Sequence, residues 1–144
     1  MEDQFIRTEL LLGKDAITRL KNSRVAIFGI GGVGGHTLEA LVRSGIGTVD
    51  VIDDDKVCLS NLNRQLLATH RTIGQNKVDV AEQRMKEINP TVVINKHQTF
   101  FLPETADQFD FSAYDYIVDA VDTVTGKLEL AVRAQQADVP IISS

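Results

Sequence analysis

The sequence predicts an α/β fold with a doubly wound, mostly parallel sheet. Two observations support this prediction. Short apolar runs alternate along the chain with amphipathic helical patterns, and a glycine-rich turn joins the first apolar run to the first long helical pattern. The 144 residues have the usual size of one domain. We divide them into an N-terminal helical arm over residues 1–22 and an α/β domain over residues 23–144.

Composition and charge narrow the range of functions. Hydrophobic residues make up 43% of the chain and charged residues 24%, as in ordinary globular proteins. The formal net charge of −5 excludes a surface that is basic throughout, but not a local basic groove. The single cysteine, Cys58, excludes an internal disulfide, and no apolar run approaches the ~20 residues of a membrane-spanning helix. We therefore expect a cytoplasmic protein without membrane segments.

The strongest single pattern is the glycine-rich turn. It lies between a predicted strand over residues 25–29 and a predicted helix over about residues 33–44. Gly29 permits the sharp turn, Gly31 lets phosphate oxygens approach the backbone, and Gly34 lets the helix and strand pack closely. The helix then offers unpaired N–H groups to an anion. This combination is typical of a Rossmann-like nucleotide-binding domain.

The other elements follow from the same alternation of patterns. In chain order we predict a helical stretch (15–20) within the arm, a strand (48–53), a polar loop with one helical turn (57–65), a helix (77–88), a strand (92–94), a short helix (103–109), a buried strand (116–122), a helix (128–134) and a strand from residue 139. Residues 96–101 either extend the third strand or form an edge strand. Because the final strand has no turn after it, we expect the 144 residues to be part of a longer protein.

Two carboxylates follow predicted strands at the edge where such sheets bind ligands. Asp53 ends the second strand, 19 residues after Gly34, near the spacing of an acidic residue that binds ribose hydroxyls. Asp122 ends the strand over residues 116–122. In open α/β sheets the ligand lies beyond the carboxyl ends of the strands. The glycine turn and these two carboxylates are equally consistent with a dinucleotide and with ATP.

Three polar side chains beyond the second strand favour ATP. Asn61, Arg64 and Lys77 place an amide and two cations where the chain leaves that strand. A dinucleotide carries only a pyrophosphate, whereas an extended triphosphate calls for additional cations. Lys77 lies near a helix start, where the helix dipole disfavours a cation, so either a ligand contact or a solvated lysine would explain it.

Several segments together resemble the superfamily of adenylating enzymes that includes ubiquitin-activating enzymes, ThiF and MoeB. These segments are Gly29–Gly34, Ile52–Asp55, Ser60–Gln65, Gly74–Lys77, Ile88–Pro90 and Asp119–Asp122. Within the superfamily, residues 5–13, 57–60 and 63–70 are most similar to the tRNA threonylcarbamoyladenosine dehydratase branch. The resemblance covers nearly the whole chain and implies a ThiF-type domain that lacks its C-terminal part.

The resemblance also implies roles for the candidate residues. Asp53 would bind the ribose of ATP, Asn61 and Arg64 would lie near the phosphates, and Lys77 would bind the β- and γ-phosphates. The other implied contacts to ATP come from the glycine turn and the acidic run: Gly29, Gly31, Gly32, Gly34 and Asp55. Asp122 would also contact ATP.

Two further roles complete the implied catalytic set of Arg7, Arg64, Lys77 and Asp122. Asp122 would hold Mg²⁺, and Arg7 would reach the ATP of a partner subunit in a homodimer. The implied reaction is adenylation of a substrate carboxylate, with the threonyl carboxylate of threonylcarbamoyladenosine in tRNA as the first candidate. The alternatives are the C-terminal glycine of a ubiquitin-like sulfur carrier, an NAD-dependent oxidoreductase, and a nucleotide-binding fragment without turnover.

Overall fold

A five-stranded sheet with every pair of strands parallel forms the centre of the computed structural model, which describes residues 3–144. The strands are β1 (Arg24–Phe28), β2 (Thr48–Ile52), β3 (Val93–His97), β4 (Tyr116–Asp119) and β5 (Ile141–Ser143). Their order across the sheet is β3-β2-β1-β4-β5. The chain therefore runs outward from β1 to one edge and then returns to build the other. This arrangement confirms the predicted doubly wound fold.

Five α-helices within residues 3–144 accompany the sheet: α1 (Ile6–Leu12), α2 (Lys14–Lys21), α3 (Gly34–Ser44), α4 (Lys77–Ile88) and α5 (Val124–Ala137). Alternate residues of the strands enter two separate apolar cores. One contains buried side chains of α3 and α4, such as Leu38 and Met85. The other contains Leu130 of α5 and the aromatic side chains of residues 101–114. In the described part of the chain no helix is long and apolar enough to cross a membrane.

The predicted arm consists of α1 and α2. Neither helix has a buried residue, and Leu10 and Leu11 of α1 are 82% and 83% exposed. Leu20 of α2 packs against the first core, and its carbonyl accepts a hydrogen bond from Gly47 N at 3.1 Å. The arm is therefore attached to the turn that follows α3. Its division from the rest of the chain stays a prediction.

Several element boundaries differ from the predicted ones; α5, for example, is longer than the predicted 128–134, and β5 begins at Ile141 rather than at residue 139. The third strand lies at residues 93–97 rather than 92–94, so part of the open stretch 96–101 extends it. The strand predicted over 116–122 ends at Asp119, because the Asp119 carboxylate accepts a hydrogen bond from Val121 N and turns the chain. The helix predicted over 103–109 is a turn with one 3₁₀ segment, Ala106–Gln108. There the Thr105 hydroxyl bonds to nearby backbone groups, which competes with helix formation.

A fully buried carboxylate lies in the middle of β2. Asp50 is 0% exposed, yet it accepts hydrogen bonds from Arg24 on β1 at 2.8 and 2.9 Å and from Asn95 on β3 at 3.0 Å. His97 Nε2 lies 2.9 Å from its other oxygen. Burial by itself would raise the pKa of Asp50, but the hydrogen bonds from His97, Arg24 and Asn95 outweigh burial and lower it to about 2. The ionised carboxylate thus joins three neighbouring strands.

Replacement of this carboxylate should change how stability depends on pH. Since the folded-state pKa of Asp50 lies below its ordinary value of 3.8, ionised Asp50 stabilises the fold above about pH 4, and this contribution disappears as the pH falls toward 2. Asp50→Asn should lower the unfolding free energy at pH 7 by about 2 kcal/mol and reduce its decline between pH 4 and 2. Urea unfolding across this pH range measures both quantities. Asp15→Asn, which alters an exposed carboxylate on α2, is the control; equal declines in Asp50→Asn and wild type would contradict the prediction.

Candidate functional site

A cavity of about 670 Å³ opens at the carboxyl ends of β1, β2 and β4. β1 and β4 flank the point where the chain order reverses, which is where open α/β sheets bind ligands. The predicted site residues that line it are Gly29, Gly31, Gly32, Asp53, Asp55, Asn61, Arg64, Lys77 and Asp122. Two predicted residues lie outside the lining. Gly34 is buried at the start of α3, and Arg7 is exposed on α1.

The glycine turn forms the floor of the cavity and is too tight for side chains at two positions. Gly29 has φ +89°, and a Cβ there would lie 2.5 Å from Ala120 O. A Cβ on Gly34 would lie 1.7 Å from Gly29 O, so α3 can begin this close to β1 only with glycine. No side chain caps the first turn of α3. Its unpaired N–H groups are therefore available to an anion in the cavity.

Asp53 fastens the glycine turn to the end of β2. Its Oδ2 accepts a hydrogen bond from Ile30 N at 3.0 Å, and its Oδ1 accepts one from Asp55 N at 2.9 Å. Burial raises the pKa of the Asp53 carboxyl, while these two N–H groups and the charge of Lys77 oppose the rise. Each carboxylate oxygen can accept a further hydrogen bond, so the same group can receive ribose hydroxyls.

Lys77 is buried although it carries a charge. It is the first residue of α4 and is only 5% exposed, so a solvated lysine does not explain it. Its Nζ lies 3.7 Å from Asp55 Oδ2, which is an ion pair beyond hydrogen-bonding distance. A buried ammonium costs free energy unless it is paired and hydrogen-bonded. An anionic ligand in the cavity would supply the hydrogen-bonded negative partner that Asp55, at 3.7 Å, does not provide.

The Arg64 side chain lies against the glycine turn in the same cavity. Its Cγ lies 3.6 Å from where a Cβ of Gly32 would be. Arg64 Nη1 donates to Ser60 O at 3.1 Å and to Asn63 Oδ1 at 2.8 Å, and no carboxylate among residues 3–144 pairs with it. The guanidinium retains donors for a ligand. Asn61 is tied into the same loop, because its Oδ1 accepts a hydrogen bond from Cys58 N at 3.0 Å.

Asp122 lines the cavity after a turn held by an ion pair whose carboxylate is buried. Asp119 is 0% exposed, and its Oδ1 accepts from Val121 N at 3.2 Å and lies 3.3 Å from Lys127 Nζ. These contacts direct the chain so that Asp122 is exposed on the cavity wall. A second acidic group also lines the cavity: carboxylate oxygens of Asp53, Asp54 and Asp55 all lie within 4.8 Å of one another. Such hard oxygen donors suit Mg²⁺.

Some lining residues were not found from the sequence. Gln65 is buried, and its Nε2 lies 3.4 Å from where a Cβ of Gly31 would be. Residues 99–101 form one wall, although their poor alternation left even their secondary structure open. Cys58, in the loop over residues 57–65, is exposed. The loop over residues 57–65 lies on the surface and buries only part of its apolar content.

Comparison with known proteins gives consistent matches over nearly the whole chain. The sequence profile of the ThiF family matches residues 4–144. The chain is 44% identical to tRNA threonylcarbamoyladenosine dehydratase of Bacillus subtilis over 100% of its own length and 57% of the relative. It is 42% identical to the adenylyltransferase and sulfurtransferase uba4 of Ogataea parapolymorpha over 72% of its length and 26% of the relative. The predicted resemblance is therefore confirmed.

A solved structure agrees with the fold. The crystal structure of E. coli tRNA N6-threonylcarbamoyladenosine dehydratase, TcdA, in complex with ATP matches with a TM-score of 0.94 and 34% identity. The match covers 97% of this chain and 58% of that chain. The 144 residues thus span somewhat more than half the length of the dehydratases that they match.

The close contact at Gly34 gives a prediction about stability. Gly34→Ala should lower the unfolding free energy by at least about 3 kcal/mol, because a Cβ would force α3 away from β1 against a backbone oxygen. Gly32→Ala is the matched control. Its Cβ would meet only the Arg64 side chain, at 3.6 to 3.9 Å, so its stability should stay within about 0.5 kcal/mol of wild type. Urea unfolding of both variants measures this, and a Gly34→Ala protein as stable as wild type would contradict it.

Proposed function

Because the chain belongs to the ThiF family, we propose that it binds ATP and forms the adenylating part of an enzyme that activates a substrate carboxylate. One observation carries the proposal. An uncapped helix N-terminus, a buried lysine and an arginine without a carboxylate partner in the described residues converge on one cavity. The solved relative with the same fold is a dehydratase in complex with ATP.

The cavity has the charge distribution that a triphosphate needs. Lys77 supplies a point charge for the β- and γ-phosphates, and Arg64 supplies a fork of donors near the glycine turn. Asp53 then receives the ribose hydroxyls while it continues to hold Ile30 N. The site is less suitable for an NAD-dependent oxidoreductase. NAD carries only a pyrophosphate, which would leave the buried Lys77 without a terminal phosphate as its charged partner.

The reaction is a nucleophilic displacement at phosphorus. An oxygen of the substrate carboxylate bonds to the α-phosphorus of ATP, and the bond from that phosphorus to the bridging oxygen of the β-phosphate breaks, which releases pyrophosphate. Arg64 and Lys77 stabilise the charge that develops on the leaving group, so that this step needs no protein nucleophile. Asp122 would hold Mg²⁺, which supplies further neutralisation of phosphate charge when bound.

For the substrate we propose the threonyl carboxylate of threonylcarbamoyladenosine in tRNA. The support is the name shared by relatives that are 33–44% identical over 98–100% of this chain. The carbamoyl oxygen of the modification would attack the adenylated carbonyl carbon, AMP would leave and a proton would be released from nitrogen, with net loss of water. The second candidate is the C-terminal glycine of a ubiquitin-like sulfur carrier, which the similarity to uba4 favours.

We further propose that the protein acts as a homodimer in which Arg7 reaches the ATP of the partner subunit. Arg7 lies on α1, the helix that exposes Leu10 and Leu11 almost completely. Exposed apolar side chains on a short helix are typical of a surface that a second chain covers. The same helix would then carry both the dimer contact and the arginine.

Titration calorimetry with Mg·ATP, AMP and NADH tests the nucleotide assignment. Lys77→Met should weaken ATP binding at least about tenfold, the size of one charge-assisted hydrogen bond, and should change AMP binding little. Lys96→Met is the control, because Lys96 pairs with Asp79 and Glu82 away from the cavity. Binding of NADH in the absence of ATP binding would sink the proposal. Pyrophosphate exchange with modified tRNA, compared with a protein that ends in Gly-Gly, separates the two substrates.

Mixing two inactive variants tests the dimer. If Arg7 acts on the partner's ATP, mixed dimers of Arg7→Ala and Lys77→Met contain one intact site, and pyrophosphate exchange should recover to about a quarter of wild type. A mixture of Arg64→Met and Lys77→Met is the control. Both residues line the same cavity of one chain, so each site in the mixed dimer lacks one cation and activity should not return. A monomer in analytical ultracentrifugation, or no recovery in the first mixture, would exclude the arrangement.

A further inference from the structure

One wall of the cavity is connected to the buried carboxylate of β2. The wall consists of Thr99, Phe100 and Phe101, which follow the end of β3. His97 is the last residue of that strand, and its Nε2 lies 2.9 Å from Asp50 Oδ2. An ionised carboxylate only accepts hydrogen bonds, so Nε2 carries the proton and donates it.

The backbone of His97 contacts both the wall and Asp53. Its carbonyl oxygen accepts a hydrogen bond from Thr99 N at 2.9 Å and another from Asp53 N at 3.1 Å. A displacement of His97 would therefore move the beginning of the wall and the end of β2 together. Asp53 is the carboxylate that we assign to the ribose.

The sheet alone holds the backbone of His97 weakly. β3 is an edge strand that pairs only with β2, and the ladder ends at the pair Ile52 and His97. The ring of His97 adds two contacts that the ladder lacks: the bond to Asp50 and a packing contact with Phe109, whose ring centroid is 5.2 Å away. Asp50 is itself fixed by Arg24, so it provides a rigid anchor.

The two aromatic residues of the wall differ in exposure. Phe101 is 3% exposed and packs edge-on against Phe28, with ring centroids 4.9 Å apart. Phe100 is 46% exposed and leaves an aromatic face available at the cavity. A planar base can stack on such a face only if the backbone that carries it keeps its position.

We propose that His97 is a positioning residue for the nucleoside end of the cavity. Through its bond to Asp50 it holds residues 99–101 and Asp53 in the arrangement that receives the base and ribose, and it has no part in binding the triphosphate. The inference rests on the proposed binding of ATP. It concerns neither Arg64 nor Lys77, which bind the other end of the nucleotide.

Calorimetry on the 144-residue chain with ATP, AMP and inorganic tripolyphosphate distinguishes effects at the nucleoside end of the site from effects at the triphosphate end. His97→Ala should weaken ATP and AMP by the same factor of about ten, the size of one lost hydrogen bond, and leave inorganic tripolyphosphate unchanged. His97→Gln, whose amide can donate to Asp50, should restore both affinities to within about twofold of wild type. Lys77→Met should instead weaken the binding of ATP and tripolyphosphate and leave the binding of AMP unchanged.

Asn95→Ala is the matched control for stability. Asn95 donates to the same Asp50 carboxylate at 3.0 Å, but it lies in the middle of β3 and its backbone does not contact the wall. Both variants should lower the thermal midpoint, and only His97→Ala should weaken AMP. Equal weakening of AMP in both variants, weakening of tripolyphosphate by His97→Ala, or unchanged AMP binding would overturn the inference. Absence of ATP and AMP binding in wild type would instead refute the proposed function.

Discussion

The contact between the start of α3 and the end of β1 is the constraint on which the rest of the structure depends. Gly34 lies so close to Gly29 O that a methyl group cannot fit, and Gly29 itself lies against Ala120 O. This spacing brings the unpaired N–H groups of α3 to the edge of the sheet between β2 and β4. Asp53 then fixes the turn from the β2 side. The two glycines thus allow β1, α3 and the turn after β4 to meet at the floor of the cavity.

The cavity, like the whole molecule, contains more carboxylates than cationic side chains. The chain carries a net charge of −5, and three consecutive carboxylates line the cavity beside Lys77. Attraction of a nucleotide would therefore come from local groups: the helix N-terminus, the buried ammonium and the guanidinium. In a partly desolvated site these interactions are stronger than at an open surface. The acidic run by itself opposes a polyphosphate, because its charge has the same sign.

The sequence predicted the parts of the structure that depend on local patterns. The apolar runs of β1 and β2, the glycine turn and the helix that ends before Pro90 all follow from periodicity and from residues with restricted backbone angles. β3 and the segment after it were less predictable. His97 and Asn95 point toward a buried carboxylate, so polar residues occupy positions where an apolar alternation was expected. The burial of Lys77 could not be predicted from the sequence either, because it depends on the packing of α4 against residues far away in the chain.

The order of the strands also determines how the chain can be made. β1 lies at the centre of the sheet, and its second neighbour is β4, with Val25 opposite Tyr116. A ribosome adds about 5–20 residues per second, so roughly 5–20 s pass between synthesis of the two strands. During that interval an apolar strand has one open edge, which is the type of surface that aggregates or that chaperones bind. The central position of β1, which places the glycine turn between β2 and β4, thus makes the nascent chain vulnerable until β4 has been synthesised.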